Sequence, residues 1–162
     1  MQRLAAVVSA LVAGIWAGVL ASIGAIAAPA AFAVLARQDA GHLVSRMFMV
    51  EAYLSLALAM LLFFIERRRT RDAAEAGAGS HVSPNLVLLL GTLFCTVAGY
   101  FAIEPMMAAA RVGQGPWSYG ALHAASASFF VLKGLLVLVL AWRLTASAGL
   151  LTFRPSATST TS

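Results

Sequence analysis

Charge is scarce in this sequence. Lys, Arg, Asp and Glu make up only 10% of the 162 residues, against roughly one-quarter in an ordinary soluble domain. A chain so poor in charge cannot cover a soluble surface, and with 61% hydrophobic residues it belongs in a bilayer. Cysteine is nearly absent as well. Cys95 stands alone, which excludes an internal disulfide and a cysteine metal cluster and leaves it as small apolar filler. Also missing are a glycine-rich phosphate loop, a nucleophile with a base and an orienting acid, and any repeat of solenoid period. The expectation is therefore that this is not an enzyme and carries no cofactor. The formal charge of +5 invites a nucleic-acid reading. However, the basic residues gather beside the ends of hydrophobic runs, not on a polar face studded with aromatics, so no nucleic-acid partner is expected.

What the sequence does have is long apolar runs. A hydrocarbon core about 30 Å thick needs about 20 apolar residues per helix, and four runs reach that length. The sequence predicts an all-α integral membrane four-helix bundle, a single domain over residues 1–152 with spans at about 4–28, 43–65, 85–103 and 119–142. The first run is too long for the core of a secretory signal, which is about 7 to 15 residues. Pro29 lacks a backbone donor and disfavours helix at Ala28, so the first span is expected to end there, and the chain to bend or to restart as a short interfacial helix. The stretch "ERRRTR" stops the second span, residues 66–84 form a connecting loop rich in Ala, Gly and Ser at its end, and Pro105 ends the third. Residues 153–162 lack the apolar side chains to fold.

The Lys and Arg distribution orients the bundle. Arg3, the cluster Arg67, Arg68, Arg69 and Arg71, and the pair Arg143 and Arg154 fall on one side, against Arg37, Arg46 and Arg111 on the other. Both termini are thus expected in the cytoplasm, with the protein multi-pass in the inner (plasma) membrane and the bilayer as its first partner. Gly14, Gly18 and Ser22 recur every fourth residue, a small-residue face that suits helix packing or a homo-oligomer. Trp117, Tyr119 and Trp142 fall where an interfacial aromatic belt would lie, and Trp16 is expected in the core or against lipid.

Ionisable groups inside spans are costly, and so are usually paired or functional. Glu51 and Lys133 are the two candidates. Counted from the expected span starts, Glu51 lies about 12 Å deep and Lys133 about 16 to 21 Å, at roughly 1.5 Å per residue. The long lysine stem could close that gap. Either they fix helix packing as a buried pair or they form a relay for protons or solute. Above them, His123 and Ser126 share a face of the fourth span, three residues apart, and Glu104 ends the third. Glu51, Glu104, His123, Ser126 and Lys133 therefore make up a candidate polar site, with Pro29 and Pro105 as structural turns. Met47, Met49, Met106 and Met107 lie nearby, and thioether with imidazole suits Cu(I). Methionine is also common apolar filler, and the spacing leaves metal binding open. His42 and His81 fall in expected loops.

"PAAF" at Pro29 to Phe32, "SRMF" at the second span, Glu104-Pro105 and "YGALHAAS" on the fourth together resemble the transmembrane protein 205 family and its bacterial relatives, whose domain has no settled function. That pattern has Pro and Phe after the first span, Glu-Pro after the third, and an aromatic residue, then Leu-His-Gly, Ser and Asn on the fourth. Pro29, Phe32, Glu104, Pro105, Tyr119, Leu122, His123 and Ser126 correspond. Ala124 stands where Gly is usual and Phe130 where Asn is expected. Because the animal member is associated with resistance to platinum drugs, the resemblance implies a connection with soft metals or export.

The leading functional expectation is a small transporter or transport accessory for a polar or soft cationic solute. The alternatives are a structural or interaction protein assembling through the small-residue face, and a haem-binding protein with His123 as an axial ligand. Only one histidine lies within a span, which disfavours a bis-histidine site.

Overall fold

The structure, a computed structural model, describes residues 2–77 and 83–149. The expected disordered tail at 153–162, the middle of the 66–84 loop and His81 lie outside the described residues. Among those described, every regular element is helical. Helix α1 (Gln2–Ser22) passes through a π-helical turn (Ile23–Ala27) into α2 (Ala28–Val34), and α3 follows at Arg37–Glu75. Helix α4 (Pro84–Thr96) passes through a second π turn (Val97–Ala102) into α5 (Ile103–Arg111), and α6 covers Tyr119–Ser147. These make four rods long and apolar enough to cross a bilayer: Arg3–Val34, Arg37–Glu75, Pro84–Arg111 and Tyr119–Ser147. The chain is a multi-pass integral membrane protein.

Two expected breaks turn out to be continuous helix. Pro29 does not end the first span, and no separate interfacial helix forms. Ala28 is helical (φ −65°, ψ −49°), and the break comes later, where Leu35 and Ala36 are extended. Nor does Pro105 end the third span, which continues to Arg111. In both rods a π turn lies just before the proline. Such a turn widens the helix by one residue, relieving the clash of the ring with the preceding turn and absorbing the lost donor. The true end of α5 is a glycine stop. Gly113 has φ +75°, and the Gly113 and Gln114 N–H groups donate to the Ala110 and Ala109 carbonyls, the Schellman arrangement.

The second span is also longer than its apolar run. Helix α3 has 39 residues, about 58 Å at 1.5 Å per residue, nearly twice the hydrocarbon thickness. "ERRRTR" ends the hydrophobicity but not the helix, because Glu, Arg and Ala are good helix formers in water. An exposed Arg71–Glu75 pair at 2.8 Å lies on the last turn, and Gly77 at φ +74° ends it. The connecting loop is thus shorter than 66–84. At its far side Ser83 caps α4 by accepting from the Leu86 N–H, with Pro84 in the first turn.

The rods alternate in direction around a ring in which α1 packs on α6, α6 on α4, α4 on α3 and α3 on α1. One end of the bundle carries Arg3, Arg67 to Arg71 and Arg143; we call it the basic end. The other carries the α2–α3 and α5–α6 corners. Toward the basic end the core is close-packed: Trp16, Leu62, Leu89, Val137 and Leu140 are each 2% exposed or less and interlock with Ala10, Ala13 and Ala59. Ile15, Phe94, Leu138 and Trp142 face outward among many large apolar side chains, as a lipid environment allows. Trp117 and Tyr119 are exposed near the opposite end, where an aromatic belt would place them.

Gly14, Gly18 and Ser22 face away from the bundle, and a Cβ at Gly14 or Gly18 would meet nothing within 4 Å. Among the described residues, the small-residue face therefore packs against no other helix of the chain. The glycines that permit the closest approach are those of the π turns, with Gly91 of α4 next, where a Cβ would lie 3.1 Å from Leu136. A Cβ on Gly24 would lie 2.9 Å from the Phe130 ring, and one on Gly99 2.6 Å from Phe129 Cβ. Each of these two rods thus seats its π turn on one of two successive phenylalanines of α6.

Candidate functional site: a vestibule floored by an ion pair

Glu51 is fourteen residues past the start of α3 at Arg37, and Lys133 fourteen past the start of α6 at Tyr119. Both helices start from the same end of the bundle, so the two side chains lie at the same depth, about 21 Å along each helix. The unequal depths expected from the apolar runs came from starting the second span six residues late, at Leu43. Lys133 Nζ donates to both carboxylate oxygens of Glu51 at 2.8 Å, with the side chains 4% and 2% exposed.

The pair is one part of a buried network that joins three helices. Ser55, one turn along α3, donates to Glu51 Oε1, and Trp16 Nε1 on α1 donates to the Ser55 hydroxyl at 3.0 Å. Phe130 lies under the ammonium, its ring centroid 5.2 Å from Nζ. The carboxylate therefore accepts three hydrogen bonds, as a charge out of water requires. Sequence reasoning missed Ser55 and Trp16. The four-residue spacing from Glu51 could have flagged Ser55; nothing local could have flagged Trp16, which comes from another helix.

From this floor a cavity of about 480 Å³ extends to the end opposite the basic one, and all four rods line it. It exists because small residues stand where large ones would fill the space. Gly24, Ala25 and Ala28 of the first rod, Gly41 of α3, Gly99 of the second π turn and Ala127 of α6 all face it. Phe32, Phe48 and Phe130 supply aromatic walls, with Phe48 and Phe130 edge-to-face at 4.9 Å.

Glu51, Glu104, His123, Ser126 and Lys133 all line this one cavity. Ser126 donates to the Gly99 carbonyl at 2.7 Å, so it also satisfies backbone in a π turn where helical bonding is irregular, as lipid surroundings demand. His123 is exposed at the mouth and stacks on Tyr119, with centroids 5.9 Å apart and planes at 14°. Arg111 donates to the Tyr119 hydroxyl at 3.3 Å and lies over its ring. Arg111 and Tyr119 are thus mouth residues, although the sequence offered Arg111 only as a loop charge and Tyr119 as a belt aromatic and part of the motif on the fourth span. Of the four methionines, Met107 alone lines the cavity; it is also core. Among the described residues no three His, Cys, Asp or Glu side chains gather as a metal site. His42, expected in a loop, lies on α3 and is exposed.

A second polar cluster ties the helices at the basic end. Glu66 Oε1 accepts from Ser83 and from Asn85 Nδ2, each at 3.0 Å, and Arg143 donates to Asn85 Oδ1 at 2.9 Å. Between it and the vestibule floor lies the packed core around Leu62, Leu89 and Leu140, so the vestibule is closed toward the basic end.

Comparison with curated proteins and with solved structures yields no match to this chain. A family profile does match, over residues 11–115, reaching from α1 past α5 and so including Glu51 and Glu104 but not His123, Ser126 or Lys133. The chain belongs to the family defined by the domain of unknown function DUF4149.

Proposed function

We propose that the vestibule is the binding chamber of a small transporter or transport accessory that takes up a polar or amphiphilic solute. The observation that carries this reading is the shared location of the five polar candidates on a single cavity of about 480 Å³, a volume typical of small-molecule sites. Two π turns border that cavity, and such turns often mark functional positions. A soft cationic solute would meet Glu104 and His123 at the mouth, since Glu51 is already held by Lys133 and Ser55. The chamber binds its solute without transforming it. Its mouth faces the outside of the inner (plasma) membrane, and both termini are cytoplasmic, because the arginine-rich end is the one retained inside. The motifs around Pro29, Glu104-Pro105 and His123 support kinship with transmembrane protein 205.

Native mass spectrometry of the chain extracted from its own membranes tests the chamber. A small-molecule adduct on the wild type, lost in a Val44→Trp variant that fills the cavity, is expected. A chain that carries no adduct from membranes or from added solute extracts, in either form, would sink the reading. Self-assembly is a second reading, favoured by the outward face of Gly14 and Gly18; crosslinking that yields only monomers, unchanged by Gly14→Leu, would remove it. Haem on His123 would give a Soret band lost in His123→Ala, and a colourless wild type from haem-fed cells would dispose of it.

A further inference from the structure

Resting on that reading of the vestibule, we infer that its ligand is an amphiphile whose buried end is an uncharged group that both donates and accepts hydrogen bonds, such as a primary amide. The floor sets this chemistry. An ammonium has three N–H donors and a carboxylate oxygen two acceptor positions. Lys133 uses two donors on Glu51, while Ser55 and Lys133 fill Oε1 and Lys133 alone reaches Oε2. One donor on Lys133 and one acceptor position on Oε2 have no partner among the described residues, on a pair that lines the cavity and is itself neutral.

The charges around the cavity point the same way. Two carboxylates, Glu51 and Glu104, face two cations, Lys133 and Arg111, so the lining attracts neither sign overall. An ionised group brought to the floor would lose its hydration and find each partner already engaged, a poor exchange for a buried charge. A neutral donor and acceptor makes two hydrogen bonds there and breaks none. Phe32, Phe48 and Phe130 then offer apolar contact for the rest of the ligand along the wall.

Cys95 provides a built-in reporter, being the chain's only cysteine and part of the cavity lining. With the full chain in nanodiscs, the alkylation rate of Cys95 by N-ethylmaleimide is measured against rising hexanamide, hexylammonium or hexanoate. Hexanamide is expected to slow the reaction at least ten-fold at concentrations where the two ions change it less than two-fold. In Glu51→Leu combined with Lys133→Met, the protection is expected to vanish while alkylation persists. The probe ranking is read on the unaltered chain, so it stands even if that double variant does not fold. Stronger protection by either ion overturns the inference and leaves the chamber in place. Alkylation that none of the three probes slows also overturns it. A Cys95 that reacts only after denaturation overturns both the inference and the chamber beneath it.

Discussion

The two halves of the bundle are made from the same four rods but solve the packing problem in opposite ways. Toward the basic end, Trp16, Leu62, Leu89, Val137 and Leu140 interlock with alanines and leave almost no free volume. Toward the other end the same helices present Gly24, Ala28, Gly99 and Ala127 to one another, and a cavity remains. The boundary is a polar layer formed by Trp16, Ser55, Glu51 and Lys133. In a membrane, where lipid offers helices little hydrophobic drive to associate, the packed half and the polar layer hold the fold. The open half is then free to serve a ligand.

The largest effect should come from breaking that layer on one side only. Glu51→Ala leaves Lys133 as an unpaired buried charge and should cost about 3 to 5 kcal/mol. Glu51→Ala with Lys133→Met should recover most of it in detergent melts, and equal losses would show that the pair does not hold α3 to α6. Next comes a contrast between the halves. Leu140→Ala, at a residue with no exposure, should cost about 3 kcal/mol through the cavity it leaves. Phe48→Ala only enlarges an existing space and should lose about 1 kcal/mol, the worth of its aromatic pair. Similar losses in chemical denaturation would mean that the two halves are packed alike.

Smaller effects test the π turn around Gly99. Gly99→Ala, with Phe129 only 2.6 Å from the new methyl, should cost about 1 to 3 kcal/mol by overpacking, whereas Gly14→Ala should leave the melting temperature unchanged. Ser126→Ala removes the hydroxyl bonded to the Gly99 carbonyl and should cost about 1 kcal/mol. A Ser126→Ala variant as stable as wild type would mean that water reaches this carbonyl in place of the hydroxyl.

The sequence made the four spans legible because apolar length and sparse charge are direct records of the bilayer. It also exposed Glu51 and Lys133, since a charge within an apolar run stands out. Helix ends were harder to read. Pro29 and Pro105 carry strong local signals for a break, and these were overridden by π turns that depend on Gly24 and Gly99 seating on α6. "ERRRTR" marked where lipid contact stops, which is a different boundary from the end of α3. Gly14, Gly18 and Ser22 show the limit of spacing arguments: periodicity reveals a face but not which way it points. The polar residues of the vestibule, from Glu104 and His123 down to Glu51 and Lys133, were legible, but its volume and walls were hidden, because a cavity is an absence shared by four helices and no single stretch encodes it.

The most direct test of two unlike halves compares two thiols that are equally shielded by the protein surface. Cys95 is 3% exposed and lines the vestibule, whereas Ala59 is 1% exposed and lies in the packed core. The measurement is the rate of N-ethylmaleimide alkylation of native Cys95 against that of Ala59→Cys placed in a Cys95→Ala background, both in native membranes. Reaction of Cys95 at least ten-fold faster is the expected result. Two thiols equally protected until the chain is denatured would contradict the open half and the solute chamber with it.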